Sequence, residues 1–151
     1  MPHRVVKRGT ILIPSGPSTD PDRRYLFIIC SDPCSEGLTV IVPVTTWTGD
    51  LCDSTCRLGA HEHDYLRHAS YAFYRKTRIE SVETLKNGIR ENVLRPHAPC
   101  NGQTFLRVKN GICISPHTPR KIKHYLKCPP SAANNPSTGA TQDAPAQPPR
   151  S

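Results

Sequence analysis

The stretch Leu38-Thr-Val-Ile-Val-Pro-Val-Thr-Thr46 decides how this chain is read. Nearly all of its side chains are β-branched, which a helix tolerates poorly and a pleated strand packs well. It is a short, continuous apolar run bounded by turn residues, the signature of a core strand rather than a helix. Pro43 cannot donate to a ladder, so it is expected at an edge or a bulge. Upstream, Ser31 to Gly37 is a turn cluster, and Tyr25-Leu-Phe-Ile-Ile-Cys30 before it is a second run of the same kind. The polar loop Ser18-Thr-Asp-Pro-Asp-Arg-Arg24 and the turn Pro14-Ser-Gly-Pro lead back to Gly9-Thr-Ile-Leu-Ile, a third. Downstream, Ser70-Tyr-Ala-Phe-Tyr-Arg-Lys-Thr-Arg-Ile79 reads as one further strand. Short strands joined by tight turns predict a mainly β protein, a small curled antiparallel sheet or barrel.

The second half changes character. Ser81-Val-Glu-Thr-Leu-Lys is a short helix with Ser81 as its cap. Residues 101–114 place Phe105, Leu106, Val108 and Ile112 at helical spacing, interrupted at Asn110-Gly111. Thr118-Pro119 opens the basic helix RKIKHYLK, with a capping Thr and Pro at the first helical position. Residues 129–151 are rich in Pro, Ala, Ser and Gln without periodicity and predict a disordered tail. Residues 1–128 therefore form the single folded domain. The formal charge of +8 sits entirely on that domain, because Asp143 and Arg150 in the tail cancel. Such a balance favours a polyanionic partner. No apolar run has the length of a membrane span, and residues 1–14 lack the apolar core of a secretory signal, so the cytoplasm is expected. There the seven cysteines are expected as free thiols, several packed as small hydrophobes.

The stretch Gly59–Lys76, GAHEHDYLRHASYAFYRK, concentrates His61, His63 and His68 with four aromatic and three basic side chains. Cys52, Cys56, His61 and His63 offer two thiolates and two imidazoles, enough for tetrahedral zinc, but their spacing is not that of a CxxC knuckle. Reduced cysteines and solvated histidines on connecting loops are the plainer reading, and no metal is assigned. Alternation along a continuous strand puts Tyr71, Phe73 and Arg75 on one face and Tyr74 and Lys76 on the other. Tyrosines interleaved with basic residues suit single-stranded RNA, whose unpaired bases stack on aromatic rings.

Taken in order, Gly9-Thr-Ile-Leu-Ile, the arginine-bearing loop, Tyr25–Cys30 running into Ser31-Asp-Pro, and Val42-Pro-Val-Thr-Thr46 resemble the PemK/MazF-like toxin family over roughly the first eighty residues. The ending SPHTPRKIKHYL looks like a divergent, phage- or prophage-type branch. The resemblance implies a small SH3-like barrel and a homodimer. It also implies metal-independent endoribonuclease activity without a cofactor, and inhibition by a cognate antitoxin. The family's phosphate-stabilising arginine corresponds to Arg24 or Arg23, and its Pro-x-Thr-Thr strand end places Thr45 at the catalytic hydroxyl. Family members often carry an acidic residue on the later strand, but Tyr71-Ala-Phe-Tyr-Arg-Lys has no carboxylate.

Cleaving RNA without a metal needs a base for the 2′-hydroxyl, an acid for the leaving oxygen and cations around the phosphorane. His68 is the candidate for proton transfer, with Arg24 and Thr45 beside it. Arg23, Thr46, Trp47, Tyr71, Tyr74, Arg75 and Lys76 are the candidate RNA contacts. Two rival readings stand beside this one: a non-catalytic adaptor for nucleic acid or protein on the same fold, and a zinc-stabilised interaction domain.

Overall fold

The computed structural model describes residues 7–14 and 24–129. Arg23 and residues 130–151 of the expected tail lie outside them. The elements in chain order are β1 (Thr10–Pro14), β2 (Arg24–Ile29), β3 (Leu38–Thr46), β4 (Arg57–Leu58), β5 (Ser70–Ala72), β6 (Arg78–Ser81), α1 (Val82–Arg90), β7 (Arg95–His97), α2 (Gly102–Ile114) and α3 (Arg120–Tyr125). The protein is mainly antiparallel β with few helices. Its strand order is β4-β5-β3-β2-β1-β7, with β6 paired to β3 beside that path. Among the described residues no pairing joins β4 to β7. No helix among them is long and apolar enough to cross a membrane.

β3 is the centre of the sheet. One of its edges pairs with β2, from Leu26↔Val44 to Ile29↔Ile41. Its other edge is shared: β6 takes Leu38 to Ile41, and β5 takes Val44 to Thr46. Pro43, expected at an edge or a bulge, therefore stands in the middle of the central strand, at a break in the pairing along one side. It is tolerated because it sits where β6 hands over to β5. There the Phe73 N–H donates to the Pro43 carbonyl at 2.8 Å. The Phe73 carbonyl, which an N–H at position 43 would otherwise seek, accepts instead from the Lys76 N–H at 3.0 Å.

That exchange also breaks the expected strand from Ser70 to Ile79. It becomes β5, a single 3-10 turn at Tyr74–Lys76, and β6. The pairing of β5 with β3 ends at Ala72, and Tyr74 packs in the same core as that residue. Its ring is 0 % exposed, and its hydroxyl donates to the Val108 carbonyl at 2.7 Å.

Two cores lie on opposite faces of the sheet. On one, Ile28, Val40, Val42, Val44, Leu58 and Ala72 pack against Phe105, Val108 and Ile112 of α2 and Ile122 of α3. On the other, Ile11, Ile13, Phe27, Ile29 and Ile41 pack against Leu85 of α1 and Leu94. Covering on both sides explains why these runs are continuously apolar rather than alternating.

Ser81 caps α1 as the sequence predicts, its hydroxyl accepting the Thr84 N–H at 3.2 Å. Asn101 caps α2 in the same way. Contrary to expectation, α2 continues through Asn110-Gly111. A side chain at Gly111 would collide with the Tyr74 phenol, so this glycine is a point of close approach rather than a break. At α3 the cap is Pro119, and Thr118 stands one residue earlier with its hydroxyl buried and unpartnered. The cysteines are not all free: Cys113 in α2 and Cys128 just after α3 form a disulfide, with Cα atoms 5.4 Å apart. Cys30, Cys56 and Cys100 are buried free thiols, while Cys34 and Cys52 are free and partly exposed.

Candidate nucleic-acid interface

Residues paired directly across an antiparallel sheet share a face. Thr45 pairs with Tyr71, and Tyr71 pairs with Arg57, so three strands put one row of side chains on the α1 side of the sheet. Two positions along, Phe73 extends the row on the β5 side. Trp47 extends it on the β3 side, its N–H bonded to the Ala69 carbonyl at 2.9 Å. The rings meet edge to face: Trp47 and Tyr71 lie 5.7 Å apart, as do Tyr71 and Phe73. The Arg57 guanidinium lies 4.0 Å over the Trp47 ring. Nearer the α1 core, Arg78 lies over Phe27 and pairs with Glu80 at 3.5 Å. The result is an aromatic band flanked by arginines. Trp47 and Phe73 are half-buried, Thr46 is exposed, and Tyr71 is 7 % exposed beneath its neighbours.

The loop after Trp47 adds a thiol. The Thr48 N–H donates to Cys52 Sγ at 3.4 Å, with the Thr48 hydroxyl 3.3 Å from the same sulfur. These bonds, the hydroxyl's first, hold the Cys52 thiol below its ordinary range. Burial, with the neighbouring Cys52, pushes the Tyr71 phenol up to about 12, so Tyr71 remains a neutral donor.

Two of the carboxylates between Trp47 and Tyr71, Asp53 and Glu62, are occupied. Asp53 accepts from the Ser115 hydroxyl at 2.6 Å and from the N–H and hydroxyl of Thr55 at 2.9 and 2.6 Å. Burial alone would raise its carboxyl, but these bonds outweigh it and hold the group below the usual range. Glu62 accepts from the Gly59 N–H and the Thr104 hydroxyl, and pairs with Arg107 at 2.5 Å. Burial acts against it too, and the same bonds leave its carboxyl lowered. Both acids pin the segment before β5 against α2.

The structure thus brings Thr45, Trp47 and Tyr71 together, with Thr46 beside them, and separates the other candidates. Tyr74 is in the core and offers no face to a base. Arg75 and Lys76 are exposed on the 3-10 turn, and Arg75 donates to His117 Nδ1 at 3.1 Å. His68 is exposed just before β5, its carbonyl accepting the Ser70 hydroxyl. Arg24 opens β2 beside Pro14. Arg57 and Phe73 complete the band but were not among the sequence candidates. β4 is only two residues long, too short to leave a run, although the face shared by Tyr71 and Phe73 was legible from alternation.

Cys52, Cys56, His61 and His63 are not gathered. Cys56 is in the core, and His61 is exposed. His63 is buried with both ring nitrogens engaged: Nδ1 accepts the Tyr65 N–H at 3.0 Å, which leaves Nε2–H to donate to the Ala98 carbonyl at 2.8 Å. Among the described residues no group of three or more His, Cys, Asp or Glu side chains is placed to hold a metal ion. Compared with protein-family models and with curated protein sequences, the chain matches none.

Proposed function

We propose that this chain is a PemK/MazF-like protein on an SH3-like barrel, which binds single-stranded RNA across the aromatic band and cleaves it without a metal ion. The observation that carries the reading is the row Arg57–Tyr71–Thr45 with Trp47 and Phe73 beside it. Ring faces stack on unpaired bases, guanidinium groups match phosphate oxygens, and a threonine hydroxyl donates to them. In the reaction, the 2′-oxygen attacks the adjacent phosphorus while a base removes its proton. The 5′-oxygen leaves with a proton from an acid, giving a 2′,3′-cyclic phosphate and a 5′-hydroxyl. Thr45 and the arginines serve the phosphorane charge, and His68 exchanges the proton. The same resemblance supports a homodimer and a cognate antitoxin as partners.

The test is a mixed single-stranded RNA pool incubated with the purified protein in EDTA. Cleavage is expected, and His68→Ala should slow it by about 10²-fold or more. Trp47→Ala should weaken binding by roughly 10-fold, the loss of one stacked base. Intact RNA in the presence of folded, RNA-binding protein would overturn the cleavage step. That outcome would select a second reading, a non-catalytic RNA-binding adaptor. Two observations favour it: the stretch Tyr71–Lys76, where the family often carries an acid, has no carboxylate, and the oxygens of Asp53 and Glu62 are already engaged.

A further inference from the structure

Residues 101–129 contain Arg107, Lys109, Arg120, Lys121, Lys123 and Lys127 and no aspartate or glutamate. Among the described residues the ion pairs are Lys7–Asp32, Arg78–Glu80 and Arg107–Glu62, so of these six cations only Arg107 has a carboxylate partner. Contacts of the fold tie several of the others to neighbouring basic segments. The bond from Arg75 to His117 docks the 3-10 turn, with Lys76 on it, against the connection between α2 and α3. Ile122, fully buried, fixes α3 with Arg120 and Lys121 exposed. The disulfide draws Cys128, and Lys127 beside it, to Cys113, one helical turn beyond Lys109.

One of these placements works against the fold, and another lacks a counter-charge. Arg120 and Lys121 occupy the first turn of α3, which has no acidic residue, at the end where the helix dipole disfavours cations. Arg75 is held by an imidazole nitrogen rather than a carboxylate. Like charges assembled without counter-charges are relieved by a polyanion. The aromatic band lies on the α1 side of the sheet and the ridge on the α2–α3 side, and the Tyr74–Lys76 turn, which follows Phe73 and whose Arg75 reaches His117, connects the two.

We infer that this ridge, from Arg75 and His117 along Arg120 and Lys121, carries the phosphate backbone of a single-stranded RNA as it leaves the aromatic band. The identity of the ligand rests on the RNA-binding reading above; the ridge itself rests on charge and placement. The two sites have different signatures. Stacking contributes affinity that is insensitive to salt, whereas each phosphate contact on a single strand contributes about 0.7 to the slope of log K against log salt.

The experiment is fluorescence anisotropy of the full chain with a 2′-O-methylated single-stranded RNA, which cannot be cleaved, titrated at several salt concentrations. Arg120→Glu with Lys121→Glu should weaken binding and lower the magnitude of the slope by about 1.4, two contacts' worth. The new glutamates suit the first turn of α3, so thermal stability should hold or rise, which separates lost binding from lost folding. Arg120→Gln with Lys121→Gln should show the same change in slope without the reversed charge. Trp47→Ala should lower affinity and leave the slope alone. A slope unchanged in both ridge variants overturns the ridge, even where Trp47→Ala still weakens binding. Affinity unchanged in Trp47→Ala with a lowered slope in the ridge variants sinks the aromatic reading and keeps the ridge. Ridge variants that lose binding to a poly-glutamate peptide but not to RNA would assign the surface to an acidic protein and overturn the inference.

Discussion

At the scale of single residues, the pair Tyr74 and Gly111 shows how a side chain can be misread from its strand. Alternation sets Tyr74 on the face opposite Tyr71 without saying which face is covered; that face is the core beneath α2, where Tyr74 packs with Ala72. Its ring occupies the space that a side chain at position 111 would need. Gly111→Ala should therefore destabilise the protein by about 1–3 kcal/mol, the range for overpacking a well-filled site. Tyr74→Phe removes the atom of closest approach and should recover part of that loss in the double variant, as a non-additive cycle in urea unfolding. Simple additivity would contradict the contact. The caps of α1 and α2 illustrate the opposite case. Ser81 was legible because a cap is a local device, a side chain bonding to an N–H three residues on. Thr118 carries the same local signal, yet the helix starts one residue later and its hydroxyl is left buried and unpartnered.

At the scale of elements, the strands Tyr25–Cys30 and Leu38–Thr46 were legible nearly to the residue, since each is a long apolar run covered on both faces. β4 and the split of β5 from β6 were not, because they are set by what pairs with β3 and not by their own composition. The aromatic band inherits this division: Thr45 could be read from motif order and Tyr71 from its aromatic and basic neighbours, whereas Arg57 needed the sheet register. The Cys113–Cys128 link is likewise invisible to spacing, since it joins α2 to the residue beyond a separate helix. Closing a loop over 15 residues of sequence separation should stabilise the fold by about 3 kcal/mol. Reduction with dithiothreitol should then lower the melting temperature measurably, and Cys113→Ser with Cys128→Ser should reproduce the shift without reductant. Thiol labelling in denaturant under non-reducing conditions should modify five cysteines, rising to seven after reduction. Seven labels at the outset would exclude the bond.

For the whole molecule, Asp53 and Glu62 join the segment before β5 to α2, and so join the two halves of the chain. Both carboxyls are held below their ordinary range in the folded state. Their contribution to stability is complete above the unfolded values, about 4 for such acids, and is lost as pH falls through the lower folded values. The urea midpoint should therefore be insensitive to these groups near neutrality and fall steeply in acid. Asp53→Asn should flatten the acid limb while reducing stability near pH 7; an unaltered acid limb would remove Asp53 from that role.

Pro43 has a consequence for how the sheet is assembled. The edge of β3 that accepts β5 and β6 has a single position unable to donate, and the native arrangement places the boundary between the two strands there. Sliding either strand along this edge by two residues preserves which face is apolar, so hydrophobic patterning alone does not forbid it. A slip towards Pro43 would, however, set a carbonyl of the incoming strand opposite a nitrogen with no hydrogen. The proline thus acts as a notch in the edge, which rejects misaligned partners during folding and lets two short strands find their places beside one long one.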